Sequence, residues 1–323
     1  MKRRNIHEAS EFFEYVRLGD GSVPAADPKK IDVAVLDMNH SWPNIGHDAI
    51  IHAIQDATEE HQERLRTTGK ILRVLSYDVR RRLMLPEVPN GRFLLYVGTG
   101  GPGHLDPRQN DGMEPWSQGI RETAEWEAPL FNLFDRVLAK EEAALIAVCH
   151  SFGLVCRWTG VARPQQREEK STGMPTNVLS EEATAHPWFS RFSAQLPDRR
   201  HYRVIDNRLF DLVLESPGKS RPLAFESDDS STVTMVEIER ERESGMPRVF
   251  GANHHPEIID RDKVMAVLDA KRAHGEVSEL WYREREHLMT DLFRGESERQ
   301  SRITSEFTFL GLLRHHVGRL ANR

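Results

Sequence analysis

Short apolar runs that stop abruptly at glycine or polar chemistry, separated by helix-length segments, constrain this chain more than any other feature. Residues 31–37, 71–77, 93–97 and 145–148 each read as a buried strand. Between them, residues 44–67 bring Ile45, Ile50, Ile54 and Ala57 onto one helical face, and residues 126–140 do the same with Leu130, Leu133, Phe134 and Leu138. Such alternation predicts an α/β fold, a three-layer open and mostly parallel sheet with helices on both faces. Ligands of such sheets bind at the carboxyl ends of the strands. The residues just past each strand are therefore the first candidates for function.

The rest of the chain is organised around that core. Residues 1–30 are polar, with one short amphipathic candidate near Phe12, Phe13, Tyr15 and Val16 and a linker from 19 to 30. Residues 162–185 carry Pro164, Gly173 and Pro175 among polar residues and read as a mobile or decorated loop. Extended runs at 202–205, 210–214, 223–226 and 232–238 read as an antiparallel extension ahead of a last strand at 247–252. Beyond 270 the pattern is helical. Ile303, Phe307, Leu310, Leu313, Val317 and Leu320 form a stripe that either packs back on the core or docks a partner or second copy in a homo-oligomer. These patterns divide the chain into an N-terminal segment 1–30, a main domain 31–270 and a C-terminal helical extension 271–323.

Composition narrows the function classes. The 323 residues carry a formal charge of −6, with basic residues scattered among acidic ones, which argues against nucleic acid as a partner. No apolar run is long enough to cross a membrane. The basic start Met1-Lys2-Arg3-Arg4 lacks the apolar stretch of a signal peptide. The two cysteines, Cys149 and Cys156, fall two turns apart on one expected helix and cannot pair, which fits a reducing cytoplasmic setting.

Three strand ends carry the chemistry. The strand at 145–148 delivers Cys149, and a helix-like stretch starts at once with His150 and Ser151. A sharp strand-to-helix turn lifts a nucleophile off the sheet edge and aims N–H groups of the new helix at its target. A buried structural thiol is the competing reading for any lone cysteine. The strand at 93–97 runs into Gly98-Thr99-Gly100-Gly101-Pro102-Gly103-His104, whose glycines let a substrate approach the backbone closely enough to hold an oxyanion. It lacks the Lys-Ser/Thr ending of a nucleotide P-loop. The last strand ends in His254-His255-Pro256-Glu257, where a histidine can take a thiol proton and a carboxylate can orient the imidazole.

Taken in this order, Gly100-Gly101-Pro102-Gly103, Cys149 and His255-Pro256-Glu257 resemble the class I glutamine amidotransferases over roughly residues 31–270. The opening strand at 31–37 and the segment Pro187-Trp188-Phe189 followed by Leu196-Pro197 fit the same order. The resemblance implies a flavodoxin-like fold and a Cys149–His255–Glu257 catalytic triad. It also implies oxyanion and substrate contacts from Gly100, Gly101, Gly103 and His150. The family usually reads Gly-x-Cys-x-Gly-x-Gln at the nucleophile, whereas this chain reads Ala147-x-Cys149-x-Ser151-x-Gly153. The glutamine of that pattern helps to hold substrate glutamine, so its replacement by Gly153 bears on the identity of the amide.

The expected activity is hydrolysis of a carboxamide, glutamine first, through a Cys149 thioester, with ammonia or the acyl group passed on to an acceptor or a separate synthase subunit. The alternatives are a Cys-His-Glu hydrolase or acyltransferase for another small amide, such as a γ-glutamyl compound, and a non-catalytic binding module. No cofactor is expected. His40, His47 and His52, and His315-His316, lack the spacing of a recognised zinc site, so no metal is expected either.

Overall fold

The computed structural model describes residues 10–323 apart from 20, 21, 43 and 217. The basic start at Met1–Arg4 lies outside the described residues. Twelve strands are found among the described residues: β1 (Phe13–Arg17), β2 (Lys30–Asp37), β3 (Ile71–Asp78), β4 (Phe93–Gly98), β5 (Ala144–Val148), β6 (Ala162–Gly173), β7 (Thr176–Leu179), β8 (His201–Arg203), β9 (Asp206–Leu214), β10 (Arg221–Glu226), β11 (Val233–Arg240) and β12 (Pro247–Ala252). Ten of them make one sheet in the order β1-β3-β2-β4-β5-β12-β11-β10-β7-β8, while β6 and β9 form a separate two-stranded ribbon. From β1 to β12 every neighbour is parallel, and beyond β12 every pairing is antiparallel.

The parallel half is buried on both faces, which is why its strands are continuous apolar runs without alternation. Helices α1 (Ile45–Glu60), α2 (Gln62–Thr68), α3 (Val79–Arg82), α4 (Glu127–Ala139) and α5 (His150–Thr159) belong to its crossovers. The expected helix over 44–67 is divided at His61, whose N–H returns to Thr58 O and Glu59 O and closes α1. The short α6 (Glu181–Ala185) and α7 (Phe189–Gln195) link the antiparallel strands, and α8 (Arg261–Ala273), α9 (Glu279–Leu292), α10 (Glu296–Ser305) and α11 (Gly311–Ala321) complete the chain.

Three segments differ from the sequence expectation. The amphipathic candidate near Phe12 is the edge strand β1, laid parallel on β3 with Phe13 opposite Leu72. The region 162–185 is ordered as β6, β7 and α6 rather than as a loop. Polar residues suffice for β6 because the ribbon stands off the main sheet, and most of its side chains face solvent. The third difference is a π turn at Glu306–Leu310 between α10 and α11, a geometry that recurs where a helix must adapt to a functional site.

The C-terminal stripe is spent within the chain. Phe307, Leu313, Val317 and Leu320 are buried in the same apolar core as the central sheet. Glu241, just past β11, ties α11 down: its carboxylate accepts from His315 Nε2 at 2.8 Å and Ser244 Oγ at 2.6 Å, and it also binds Arg319. Burial works to raise its pKa, but hydrogen bonds from His315 and Ser244 and the charge of the histidines outweigh it and lower the value to about 2. A depressed carboxylate adds stability above its unfolded pKa, and that stability is lost as pH falls through the folded value. The loss in Tm caused by Glu241→Gln is therefore expected to be largest near neutral pH and to shrink steadily between about pH 4.5 and pH 2. Thermal unfolding of both proteins across that range checks it.

Candidate active site

Four strand ends meet at one level of the sheet. Register pairs Leu36 with Gly98, Gly98 with Ala147 and Val148 with Ala252, so the loops after β2, β4, β5 and β12 open side by side. Cys149 stands at this edge with φ +50° and ψ −105°, a conformation a non-glycine side chain rarely takes and which costs about 1–3 kcal/mol. Two bonds hold the turn: Cys149 N–H donates to Ala252 O at 2.8 Å, and Gly153 N–H returns to Cys149 O at 3.0 Å. His150 opens α5, so its N–H has no acceptor within the helix.

The histidine and carboxylate of β12's loop reach the same place. His255 Nδ1 lies 2.7 Å from Glu257 Oε1, and its ring is in hydrogen-bonding contact with the Cys149 side chain. Burial disfavours the imidazolium, but the electrostatic pull and hydrogen bonds of Glu257 and Cys149 overcome this and raise the His255 pKa well above its ordinary value. His254, next door, points the other way. It is buried against Tyr202 with neither ring nitrogen hydrogen-bonded, and burial first, then Arg208 and His255, lower its pKa to about 3. His254 is thus neutral and remote from base chemistry.

Gly100 is packed between the sulfur and the ring. A Cβ there would sit 3.0 Å from His255 Cε1 and 3.7 Å from Cys149 Sγ. Gly101 presses on the Met38 carbonyl, which a Cβ would meet at 2.2 Å. Gly103 takes φ +84°, and its N–H is already committed to Gln118 Oε1 at 2.8 Å. His150 is buried with Nε2 unpartnered, and burial, followed by the charge of Arg80, holds its ring neutral. Gly101, Gly103 and His150 line one open cleft of about 560 Å³, together with Cys149 and His255.

Several supports were not visible in the sequence. Arg80, fully buried at the start of α3, donates through Nη1 to Met38 O at 2.9 Å and Pro102 O at 2.6 Å, and its other nitrogens grip Glu122 at 2.6 and 3.0 Å. It clamps the glycine loop onto the β2 end. Ser305, where α10 gives way to the π turn, donates to Pro256 O and fixes the His-Pro-Glu loop from behind. Asn44 caps α1, and Gly46 faces Glu257 across a gap that no side chain can enter. A Cβ there would lie 2.6 Å from Glu257 Oε1. Alanine is the better helix former by about 1 kcal/mol, so Gly46→Ala should leave the fold intact. It is expected to dislodge Glu257 and slow alkylation of Cys149 by iodoacetamide at pH 7 about tenfold, equivalent to about one pKa unit at the imidazole. An unchanged rate would contradict this.

Two of the three departures at the elbow, Ser151 and Gly153, have steric explanations. Ser151 packs against Gly98, whose Cβ would collide with it at 2.5 Å, and its hydroxyl donates to Thr99 O at 2.7 Å. The glycine lost at position 151, in the first turn of α5, is thus matched by a glycine at the end of β4. At Gly153 a Cβ would meet Leu105 at 2.5 Å. Leu105, from the loop after the glycines, occupies the space where a longer side chain at 153 would stand.

His47, His315 and His316 are taken up elsewhere. His47 is buried in a polar network with Ser76 at 2.9 Å and Asp48 at 3.2 Å. His315, His316 and Glu241 do cluster, but Arg319 already binds that carboxylate and His316 Nε2 lies 2.9 Å from Pro247 O. That cluster sits at the opposite end of β12 from Cys149.

The fold has counterparts among solved structures. A glutamine amidotransferase from Thermotoga maritima is similar over 90% of this chain and 99% of its own, with 14% identity and a TM-score of 0.50. The fold is that of the class I glutamine amidotransferases. A glutamine amidotransferase from Methylobacillus flagellatus covers 87% of this chain and 95% of its own at 11% identity and TM-score 0.49. The glutaminase domain of Trypanosoma brucei CTPS, solved with bound acivicin, covers 78% and 96% at 12% identity and TM-score 0.44. The sequence matches no family model and no curated protein. Among the described residues no helix is long and apolar enough to cross a membrane.

Proposed function

We propose that this protein is a glutamine amidotransferase-like enzyme that breaks a carboxamide through a thioester on Cys149. The observation that carries the reading is the strained Cys149 in contact with a His255 that is itself held by Glu257 at 2.7 Å. In this reading the sulfur, as thiolate, attacks the amide carbon while His255 holds the proton. The carbonyl oxygen becomes an oxyanion facing the backbone N–H groups of Gly101 and His150. The C–N bond breaks as His255 returns its proton to the leaving nitrogen, and ammonia departs. Water then loses a proton to neutral His255 and attacks the thioester, which releases the acid and restores the thiol. An acceptor amine in place of water would give acyl transfer, and a separate synthase subunit could take the ammonia.

Glutamine is the first substrate to test. Leu105 in the space beside Gly153 favours a second reading, in which the same chemistry serves a different small amide such as a γ-glutamyl compound. Incubation with a diazo-ketone analogue of glutamine, followed by mass mapping, decides between them. Labelling confined to Cys149 and blocked by glutamine supports glutamine. Labelling that glutamine does not slow supports the other amide. No labelling of Cys149 sinks both.

A further inference from the structure

The glycine at 153 leaves α5 without a long polar side chain at that position, and Leu105 seals the space. Polar groups for substrate come instead from the ribbon. Between Gln166 and Ser171 the pairing of β6 with β9 breaks: Gln166 faces Phe210 and Ser171 faces Arg208, so four residues of β6 stand against Leu209 alone. A bulge of this kind re-aims side chains, and such bulges are common beside active sites. Here it carries Lys170 into the lining of the cleft that holds Cys149 and His255. Arg167 of the same bulge turns outward to Asp211 at 2.6 Å and Glu226 at 3.0 Å, but Lys170 forms no ion pair among the described residues.

Asp206, at the start of β9, lines the same cleft. It is buried, and its Oδ2 accepts from Ser171 Oγ at 2.6 Å and lies 3.4 Å from Arg208 Nη1, while Oδ1 has no hydrogen-bond partner. A cleft that presents an unpaired ammonium and a buried, unsatisfied carboxylate oxygen asks for a ligand bearing both a carboxylate and an ammonium. Burial and the nearby Arg285 lower the Lys170 pKa, against the pull of Cys149 and Asp206, which places its side chain within the field of both.

We infer that Lys170 anchors a carboxylate of the amide substrate and Asp206 its ammonium, so that the inserted ribbon reads an α-amino-acid head group. This rests on the amide-cleaving reading above and names its substrate class. The test compares three amides: glutamine, glutaramate (no ammonium) and 4-aminobutanamide (no carboxylate). Lys170→Met is expected to raise KM about tenfold for glutamine and glutaramate with kcat little changed, as loss of one charge-assisted contact implies, and to leave 4-aminobutanamide untouched. Lys170→Arg should retain most of the affinity. Asp206→Asn should penalise glutamine and 4-aminobutanamide and spare glutaramate. Equal effects on all three amides, or no effect of Lys170→Met, would overturn the inference while leaving the Cys149 reading intact. Calorimetry with Cys149→Ala protein separates the two in the other direction. Binding of glutamine and glutaramate that Lys170→Met weakens about tenfold, in a chain whose wild type releases no ammonia, upholds the subsite and ends the amide-cleaving reading.

Discussion

Cys149→Ala is expected to lower ammonia release from the substrate amide by about 10⁴-fold or more, and His255→Ala to do nearly the same, because nucleophile and base act as one unit. The effects should be far from additive: the double variant should be little worse than either single one. The geometry gives the reason. His255 contacts the sulfur on one side and Glu257 on the other, so removing either partner leaves the other with nothing to act on. Cys156 cannot stand in, since it is fully buried in the core and burial drives its thiol pKa upward. Substrate affinity should survive, because the Cys149 side chain is small and the cleft is lined mainly by other elements. Steady-state ammonia assays on the three variants are the check, and full activity in Cys149→Ala would end the thioester mechanism.

Arg80→Met should cost about 3–5 kcal/mol, the usual price of leaving a buried ion-pair partner alone, and lower Tm by about 10 °C. Glu122 is itself almost fully buried and would keep only Asn110 at 2.6 Å and Trp126 at 3.1 Å as donors. The carbonyls of Met38 and Pro102 would lose their shared donor, so the glycine loop would loosen beside Cys149. Pairing the change with Glu122→Met removes the stranded charge and should recover part of the stability but none of the loop clamp. Thermal unfolding of single and double variants, read beside ammonia release, separates the two effects. Wild-type stability in Arg80→Met would refute the clamp.

The sheet and the elbow were legible because their signals are local. Strands buried on both faces are unbroken apolar runs, and β2, β3, β4 and β5 were placed to within a residue or two. Of the ribbon, the run at 210–214 was legible as part of β9, but β6 was not, because it has solvent on most sides and no alternation to betray it. Arg80 sits in a run of three arginines, with nothing local to mark the one that is buried. The sequence displayed the change at Gly153 but not its cause, since Leu105 lies far along the chain and meets it only in the folded state. Ser305 and Gly46 were hidden for the same reason. Each is defined by a partner from a distant element.

The position of β12 has a consequence for the life of the chain before it is complete. This strand docks between β5 and β11, and it follows β5 by roughly a hundred residues of sequence, a separation that makes such pairing slow and late. Until it docks, Cys149 has no acceptor for its N–H at Ala252, no imidazole and no carboxylate. A nascent or partly folded chain therefore carries Cys149 at the border of an unfinished sheet, apart from its histidine and carboxylate neighbours. Closing the sheet and bringing the imidazole and carboxylate to the sulfur are a single event.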